Sequence, residues 1–333
     1  MNPCRYHGRA GERGVALLVV LLLVTVLSTM AIAMTDDIRF AVRRAANIKM
    51  IEQAHWYARG AESFAREVLR RSWKETPMRS TLRDAWAAQG VSFAIEGGSV
   101  SGRIRDGGNC FNLNSVVEEG PKGDYLRRPD GPESYERLLG ALDIPPDIAS
   151  ALAEGLLDWI DSNGVPSAQG AEDDTYARFD PPYRTGAGLM AEPSELRAVA
   201  GYSEEIYQRL RPLVCALPTV EPSRINVNTL AESDAPLLVM IAGSALRLPE
   251  ARRAIAARPV GGYDSVELFL AQDQFAGLAL EPAALRQLGV RTRFFEVKNE
   301  VRYYEAHLMT TALVEVGGNG VVTTRMRRLG ELD

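Results

Sequence analysis

Residues 15–34 read VALLVVLLLVTVLSTMAIAM and contain no charged side chain. An α-helix rises about 1.5 Å per residue, so a helix of this length spans about 30 Å, the thickness of a bilayer's hydrocarbon core. The rest of the chain has no second uncharged run of that length. The sequence therefore predicts one transmembrane helix, with residues 15–34 inside the membrane.

Charged residues on either side of this run indicate its orientation. Residues 1–14 read MNPCRYHGRAGERG and carry three arginines against one glutamate, whereas Asp36 and Asp37 follow the run. Basic residues concentrate on the cytoplasmic side of a membrane helix. We therefore expect a cytoplasmic N-terminus, a single pass through the inner membrane and a periplasmic C-terminal domain.

The helical pattern continues beyond the apolar run. Apolar residues recur at steps of three and four after residue 37, and no proline lies between Val15 and Pro77. Such spacing is typical of an amphipathic helix. One helix over about residues 15–73 is predicted, with its first half in lipid and its second half amphipathic.

A cleaved secretory signal peptide is the alternative interpretation of the N-terminus. Ala31-Ile32-Ala33 offers a small-residue cleavage site of the expected kind. The apolar run is longer than the about 7–15 residues usual in a signal peptide, and cleavage there would discard the anchoring half of the helix. We therefore expect the apolar segment to remain attached.

Downstream of the helix, two β-rich segments flank a long helical one. VSFAIE (91–96) and SVSGRIR (99–105) surround Gly97-Gly98 and predict a β-hairpin. The expected fold class is α+β: a long N-terminal helix packed on an antiparallel sheet, with a large, mainly helical domain inserted into the sheet. The expected segments are a leader (1–14), the membrane half of the helix (15–34), its amphipathic half (35–75), the first part of the sheet (76–105), the inserted helical domain (106–290) and the last strands (291–333).

A short basic leader that ends in Gly14 and passes directly into a long apolar helix resembles the class III, type IV pilin-like prepilins. In that family a prepilin peptidase cuts after the glycine and methylates the new N-terminus, which implies processing at Gly14 and Val15 here. Most members have an aromatic residue at the first mature position and glutamate at the fifth, where this chain has Val15 and Val19. The missing glutamate is the departure known for the K-type pseudopilin, and it suits a tip subunit with no neighbour ahead of it.

Several short stretches are similar to the same family along most of the chain. They are CFNLN (110–114), LLDWIDSNGVPSAQGAEDDTY (156–176), SELRAV (194–199), CALP (215–218) and INVNTL (225–230). Their order, together with the leader, identifies the chain as a member of the general secretion pathway protein K family of type II secretion. The resemblance implies a pilin-like fold and a minor pseudopilin at the pseudopilus tip. It also implies assembly with I- and J-type minor pseudopilins and the major pseudopilin, a role in exporting folded proteins, and no enzyme activity.

An acidic loop supplies candidate metal ligands. Asp161-x-Asn163-Gly164 places oxygen ligands at alternate positions with a glycine for the turn, which resembles the start of a calcium loop without the EF-hand spacing. The family resemblance implies a structural calcium ion in the helical domain. The alternative is a solvated loop in which Asp161 and Asn163 cap turns. The candidate ligands are Asp161, Asn163, Glu172 and Asp173, followed by Asp174 and by Asp158, which could instead cap a helix end.

The cysteines allow one intramolecular bridge. Cys4 lies in the leader, so the mature chain keeps Cys110 and Cys215. An even number of cysteines in an oxidising compartment predicts a disulfide between them. Two buried thiols are the alternative.

A secreted helix-hairpin-helix DNA-binding protein is the alternative function. INVNTL followed by short helices resembles the opening of such a module, which binds phosphates through a glycine-rich hairpin and basic residues. The stretch carries four arginines but no G-x-G hairpin, and the chain's net charge of −5 opposes a phosphate-rich partner. His55 and His307 lie in no recognisable catalytic motif, and a carboxylate-pair hydrolase at Asp158 and Asp161 has no further support. We therefore expect neither nucleic acid nor a small-molecule substrate.

Overall fold

A single long helix, α1 (Glu12–Glu75), organises the molecule. The computed structural model describes residues 12–330, so residues 1–11 of the predicted leader, including Cys4, lie outside the described residues. The helix ends two residues before Pro77, because proline lacks an N–H donor and disfavours helical geometry in the residue before it. The prediction of one uninterrupted N-terminal helix is confirmed.

The two halves of α1 have different surroundings. Every residue from Gly14 to Lys49 is exposed. From Ala54 onward, small and apolar side chains at steps of three and four residues are buried, among them Ala58, Ala65 and Leu69. The second half therefore packs on the rest of the fold, while the first half projects away from it.

The remaining elements are short, as the many Pro and Gly residues predict. The further helices are α2 (Gly131–Ala141), α3 (Pro146–Ile160), α4 (Asp173–Tyr176), α5 (Glu204–Leu210), α6 (Ala235–Ala242), α7 (Leu248–Ala256), α8 (Val266–Leu270) and α9 (Pro282–Gln287). The strands are β1 (Val91–Ile95), β2 (Gly98–Asp106), β3 (Phe111–Asn112), β4 (Val117–Glu119), β5 (Tyr125–Arg127), β6 (Val214–Cys215), β7 (Ile225–Asn226), β8 (Leu288–Gly289), β9 (Phe294–Tyr303), β10 (Ala306–Val316) and β11 (Val322–Leu329).

Five strands form the main sheet in the order β1-β2-β9-β10-β11. All neighbouring strands are antiparallel, including β2 and β9, which pair Gly98 with Tyr303 and Asp106 with Phe295. One face packs on α1, where Leu69 joins Phe295, Val297 and Val314 in a buried cluster. The α+β fold, with a long helix on an antiparallel sheet, is confirmed.

The segment between β2 and β9 forms a separate hydrophobic core. It contains fully buried side chains from several short helices and turns, such as Leu113, Tyr135, Leu156 and Phe269. Its short ladders, β3 with β6, β4 with β5 and β7 with β8, were not predicted. Runs of two or three residues are too short to produce a strand pattern in the sequence.

A buried polar network joins the inserted domain to the sheet. The Asn226 amide donates to the Ser80 carbonyl at 3.0 Å and to Thr292 Oγ1 at 2.9 Å. The Asp106 carboxylate, at the end of β2, accepts hydrogen bonds from the hydroxyls of Thr229 and Thr292, and burial raises its pKa. The INVNTL stretch (225–230) therefore connects the inserted domain to the main sheet. Its buried hydrogen bonds fix the orientation of the inserted domain relative to the sheet.

Candidate functional site

The N-terminal half of α1 fits a single-pass membrane anchor. Within the described part of the chain, α1 is the one helix long and apolar enough to cross a membrane, and its apolar segment makes no buried contact with the fold. Gly14 and Val15 lie in its first turns, and Val15 is exposed. Cleavage between them remains a prediction.

Three carboxylates of the acidic loop are buried close to one another. Asp158 lies in the last turn of α3, Asp161 follows the end of that helix, and Glu172 directly precedes α4. Their exposed fractions are 1%, 3% and 7%. Burying a charge is costly unless it is paired, and within residues 12–330 none of the three forms a salt bridge.

Asp158 belongs to this buried cluster, which corrects the suggestion that it could cap a helix end. Its Oδ1 accepts the Ser167 hydroxyl at 2.6 Å, and its Oδ2 accepts the Ser167 amide at 3.0 Å. A Cβ on Gly170 would lie 2.0 Å from Asp158 Oδ2. Residue 170 must therefore be glycine for the loop to pass this carboxylate.

Asp161 and Asn163 make the local turn contacts of the alternative interpretation. Asp161 accepts the Asn163 backbone amide at 3.1 Å and its side-chain amide at 2.6 Å. Asn163 Oδ1 in turn accepts the Val165 amide at 2.8 Å. These bonds order the turn after α3, and they leave lone pairs on both side-chain oxygens for a further partner.

The surroundings of these three carboxyl groups favour their protonated forms. Burial, together with the neighbouring Asp158 and Asp161, raises the pKa of Glu172 to about 7. Burial and the charge of Asp158 raise the pKa of Asp161 to about 6 against its backbone hydrogen bond, and the pKa of Asp158 is also raised by burial. A cation among these groups would favour the charged forms of all three.

Two features of this cluster bear on whether it could hold a calcium ion. Glu172 Oε1 is buried and has no hydrogen-bond partner, and the donors around it are oxygens, the ligand type that calcium takes. Across residues 12–330, no three His, Cys, Asp or Glu side chains stand in an arrangement that could itself hold a metal ion. The donor chemistry is present, and a bound ion would have to draw the side chains together.

Asp173 and Asp174 lie outside the buried cluster. Asp173 Oδ1 accepts the backbone amide and the hydroxyl of Thr185, and its other oxygen lies 3.8 Å from Arg184. Asp174 is exposed. Asp173 is the stronger of the two candidate ligands by sequence, but the structure buries Asp158 and leaves Asp173 at the edge, and which of them would bind a cation remains a prediction. The contact of Asp158 with Ser167 could not be foreseen, because nothing in the spacing shows that residue 167 returns to the end of α3.

Cys110 and Cys215 form a disulfide that closes a long loop. Their sulfurs are 2.02 Å apart, and the two cysteines are 105 positions apart in the chain. The bridge flanks the β3–β6 pair, where Asn112 Oδ1 accepts the Leu217 amide at 3.0 Å. The Asn114 amide also donates to the Leu217 carbonyl at 2.8 Å. CFNLN and CALP are therefore joined through one bridge and two asparagines.

Comparison with known proteins identifies the family. Two family models, both described as type II secretion system protein K, match residues 109–219 and 225–291. The chain is 36% identical to type II secretion system protein K of Pectobacterium carotovorum subsp. carotovorum, over 94% of this chain and 95% of that protein. The chain belongs to the type II secretion system protein K family. The proteins K of Aeromonas hydrophila (35% identical, 90% and 89% covered) and Klebsiella pneumoniae (38%, 78% and 79%) are similar relatives.

A solved structure shows the same fold. A chain in the crystal structure of the GspK–GspI–GspJ complex of the enterotoxigenic Escherichia coli type 2 secretion system superposes with a TM-score of 0.76 at 29% identity. The match covers 87% of this chain and 100% of that one. The protein is thus a K-type minor pseudopilin with a pilin-like fold, and the DNA-binding alternative gives way to a role in protein secretion.

Proposed function

We propose that this chain is the tip subunit of a type II secretion pseudopilus, assembled with I- and J-type minor pseudopilins and without catalytic activity of its own. The observation that carries the proposal is the likeness, over 87% of the chain, to a member of the GspK–GspI–GspJ complex. A subunit of the same fold and family is expected to present the same kinds of surface to its partners. The major pseudopilin would then follow below this tip complex.

The anchor determines where assembly begins. Residues 15–34 hold the subunit in the inner membrane, with the leader in the cytoplasm and the sheet and inserted domain in the periplasm. The prepilin peptidase removes residues 1–14 and methylates Val15. What supports this order is the exposed, uncharged first half of α1 and the arginines before it.

Two features suit a position at the end of the filament. A carboxylate in lipid is kept only for a partner charge, in pilins the N-terminal amine of a neighbouring subunit, and the fifth mature position here is Val19. The inserted domain, between β2 and β9, adds bulk beyond an ordinary pilin-like sheet. Without a carboxylate at its fifth mature position, the subunit has no group to pair with the N-terminal amine of a subunit above it. Its bulky inserted domain would also block the addition of a further subunit there.

We further propose a structural calcium ion in the acidic loop. Asp158, Asp161 and Glu172 would hold it, with Asn163 Oδ1 as a neutral oxygen ligand and with Asp173 and Asp174 nearby in sequence. The ion would supply positive charge and fix the loop from Asp161 to α4; it would take no part in any reaction. The support is the unpaired buried Glu172 oxygen and the mutual repulsion of the three carboxylates.

The copy number of this chain in sheared pseudopili tests the tip position. The chain would be co-expressed with its I-, J- and major-type partners, and filaments sorted by length would be quantified by mass spectrometry. We expect one copy per filament at every length, together with equal amounts of the I- and J-type subunits, while the major subunit increases with length. A copy number of this chain that grows with filament length would exclude the tip position.

A further inference from the structure

A cationic stretch of α1 lies directly beyond the membrane segment, over residues 35–49. Its charged residues are Arg39, Arg43, Arg44 and Lys49, against Asp36 and Asp37. All of these side chains are exposed, and the helix becomes buried only near Ala54. A helical stretch of this length spans about 22 Å. It therefore separates the bilayer from the folded part of the molecule, and its side chains are open to water or to the membrane surface.

Most of this positive charge has no partner within the fold. Arg39 lies 3.8 Å from Asp36, and both side chains are about two-thirds exposed, so this ion pair is weak. Among residues 12–330, Arg43 and Arg44 take part in no salt bridge and no side-chain hydrogen bond. Because the stretch holds four cations against two carboxylates, it keeps a net positive charge.

The height of the arginines above the hydrocarbon core brings them to the lipid headgroups. Met34 ends the uncharged run, and the Cα atoms of Arg39 and Arg43 lie about 7.5 Å and about 13.5 Å beyond it along the helix axis. The headgroup layer is roughly 5–8 Å thick on each side of the core. Helical side chains lean toward the N-terminus of their helix, which is the membrane side here, and helix tilt lowers them further. The long arginine side chains therefore reach the phosphates.

Apolar side chains between the arginines indicate a lipid surface and not a free phosphate ion. Ile38, Phe40 and Val42 are 54%, 69% and 62% exposed. Helices that lie at a bilayer interface combine apolar side chains, which enter the acyl boundary, with cations that attract anionic lipids. Arginine also pairs with a phosphate through two parallel hydrogen bonds. A free phosphate ion would use the cations and leave the three apolar side chains in water.

We propose that the juxtamembrane segment (residues 35–44) binds anionic phospholipids, with the guanidinium groups of Arg39, Arg43 and Arg44 on the lipid phosphates. The apolar side chains between them lie at the boundary between headgroups and acyl chains. The bound lipids set the depth of the helix in the membrane before assembly. The proposal rests on the membrane anchor proposed above, and it requires neither its orientation, nor the tip position, nor calcium.

Native mass spectrometry of the full chain, released from a nonionic detergent, provides the test. Phosphatidylglycerol and phosphatidylethanolamine are added at equal concentration, with and without inorganic phosphate. We expect the chain to retain phosphatidylglycerol about tenfold more than phosphatidylethanolamine, and we expect inorganic phosphate to leave this preference unchanged. Each basic residue near the surface adds to the attraction of anionic lipid, so Arg39→Gln with Arg43→Gln and Arg44→Gln should lower the retention of phosphatidylglycerol about tenfold.

Two controls separate this site from a general effect of charge. Lys49→Gln removes a cation about 22 Å beyond Met34 along the helix, too far to reach the headgroups. Arg252→Gln with Arg253→Gln and Arg286→Gln removes three exposed arginines from α7 and α9. Both controls should retain phosphatidylglycerol as the wild type does. Equal retention of the two lipids, equal loss in the juxtamembrane variant and a control, or displacement of the lipid by inorganic phosphate would each overturn the proposal.

The same spectra distinguish a failure of this proposal from a failure of the anchor. They give the mass of the polypeptide, so a chain that has lost the residues before Met34 is recognised directly. A chain that keeps residues 15–34 and shows no lipid preference contradicts lipid binding alone. Because Arg43 and Arg44 have no partner in the fold to lose, the juxtamembrane variant should melt at the wild-type temperature.

Discussion

Replacing Cys110 and Cys215 by serine is expected to lower the free energy of unfolding by roughly 4–5 kcal/mol. The bridge closes a loop with a sequence separation of 105 residues, and cross-linking so long a loop strongly reduces the conformational entropy of the unfolded chain. Such a loss is a large part of the roughly 5–15 kcal/mol that stabilises a typical domain. Urea unfolding of the purified chain, followed by circular dichroism, would measure it.

Ser223→Ala is the matched control for the bridge. The Ser223 hydroxyl lies 3.9 Å from each sulfur, so this variant changes the polar surroundings of the bridge and leaves the loop closed. We expect it to cost less than about 1 kcal/mol. If the double serine variant lost no more than Ser223→Ala, the bridge would not be what holds β3 and β6 together.

Calcium is expected to stabilise the chain and to reverse how its stability depends on pH. Extracellular calcium sites have dissociation constants of about 10⁻⁴–10⁻³ M. A calcium concentration one hundred times the dissociation constant adds about 2.7 kcal/mol to the free energy of unfolding. Thermal melts in calcium and in chelator, at several pH values, would show the difference. A melting temperature equal in the two conditions at neutral pH would contradict a calcium site.

The direction of the pH effect follows from the raised pKa values. In the folded chain the pKa of Glu172 is about 7, above its ordinary value of 4.5. The folded state therefore binds the proton of the Glu172 carboxyl group more tightly than the unfolded state does. In chelator, the free energy of unfolding should therefore fall as the pH rises from about 4.5 to about 7. In calcium, the ion binds the deprotonated carboxylates, and the same rise in pH should increase stability.

The double variant Asp161→Asn with Glu172→Gln separates a ligand role from a purely structural one. Removing two repelling charges should leave its melting temperature in chelator at neutral pH equal to or above that of the wild type, while the gain from calcium is lost. Asp174→Asn, at an exposed position, serves as the control and should keep most of that gain. An equal loss of stability in calcium and in chelator would mean that these side chains serve packing alone.

The helix and the fold class could be predicted because their signals are local and periodic. An uncharged run, followed by apolar residues at steps of three and four, specifies α1 without knowledge of its neighbours. Gly97-Gly98 between alternating segments specifies the β1–β2 hairpin in the same way. Both patterns depend on residues that lie near one another in the chain.

Long-range pairings carried no such signal. The antiparallel pairing of β2 with β9 joins residues on either side of the whole inserted domain, and nothing in the sequence shows which returning strand lies beside β2. The acidic loop has the same difficulty. The spacing favoured Asp173, whereas burial of Asp158 depends on Ser167 and Gly170 folding back onto α3.

The mass and N-terminal sequence of the protein extracted from membranes test the central claim most directly. A K-type pseudopilin should lack residues 1–14 and begin at Val15 with a methylated amine, and its anchor should remain in place. A chain that begins at Met34 would contradict the account, because it would have lost the apolar half of α1 that holds the subunit in the membrane for assembly.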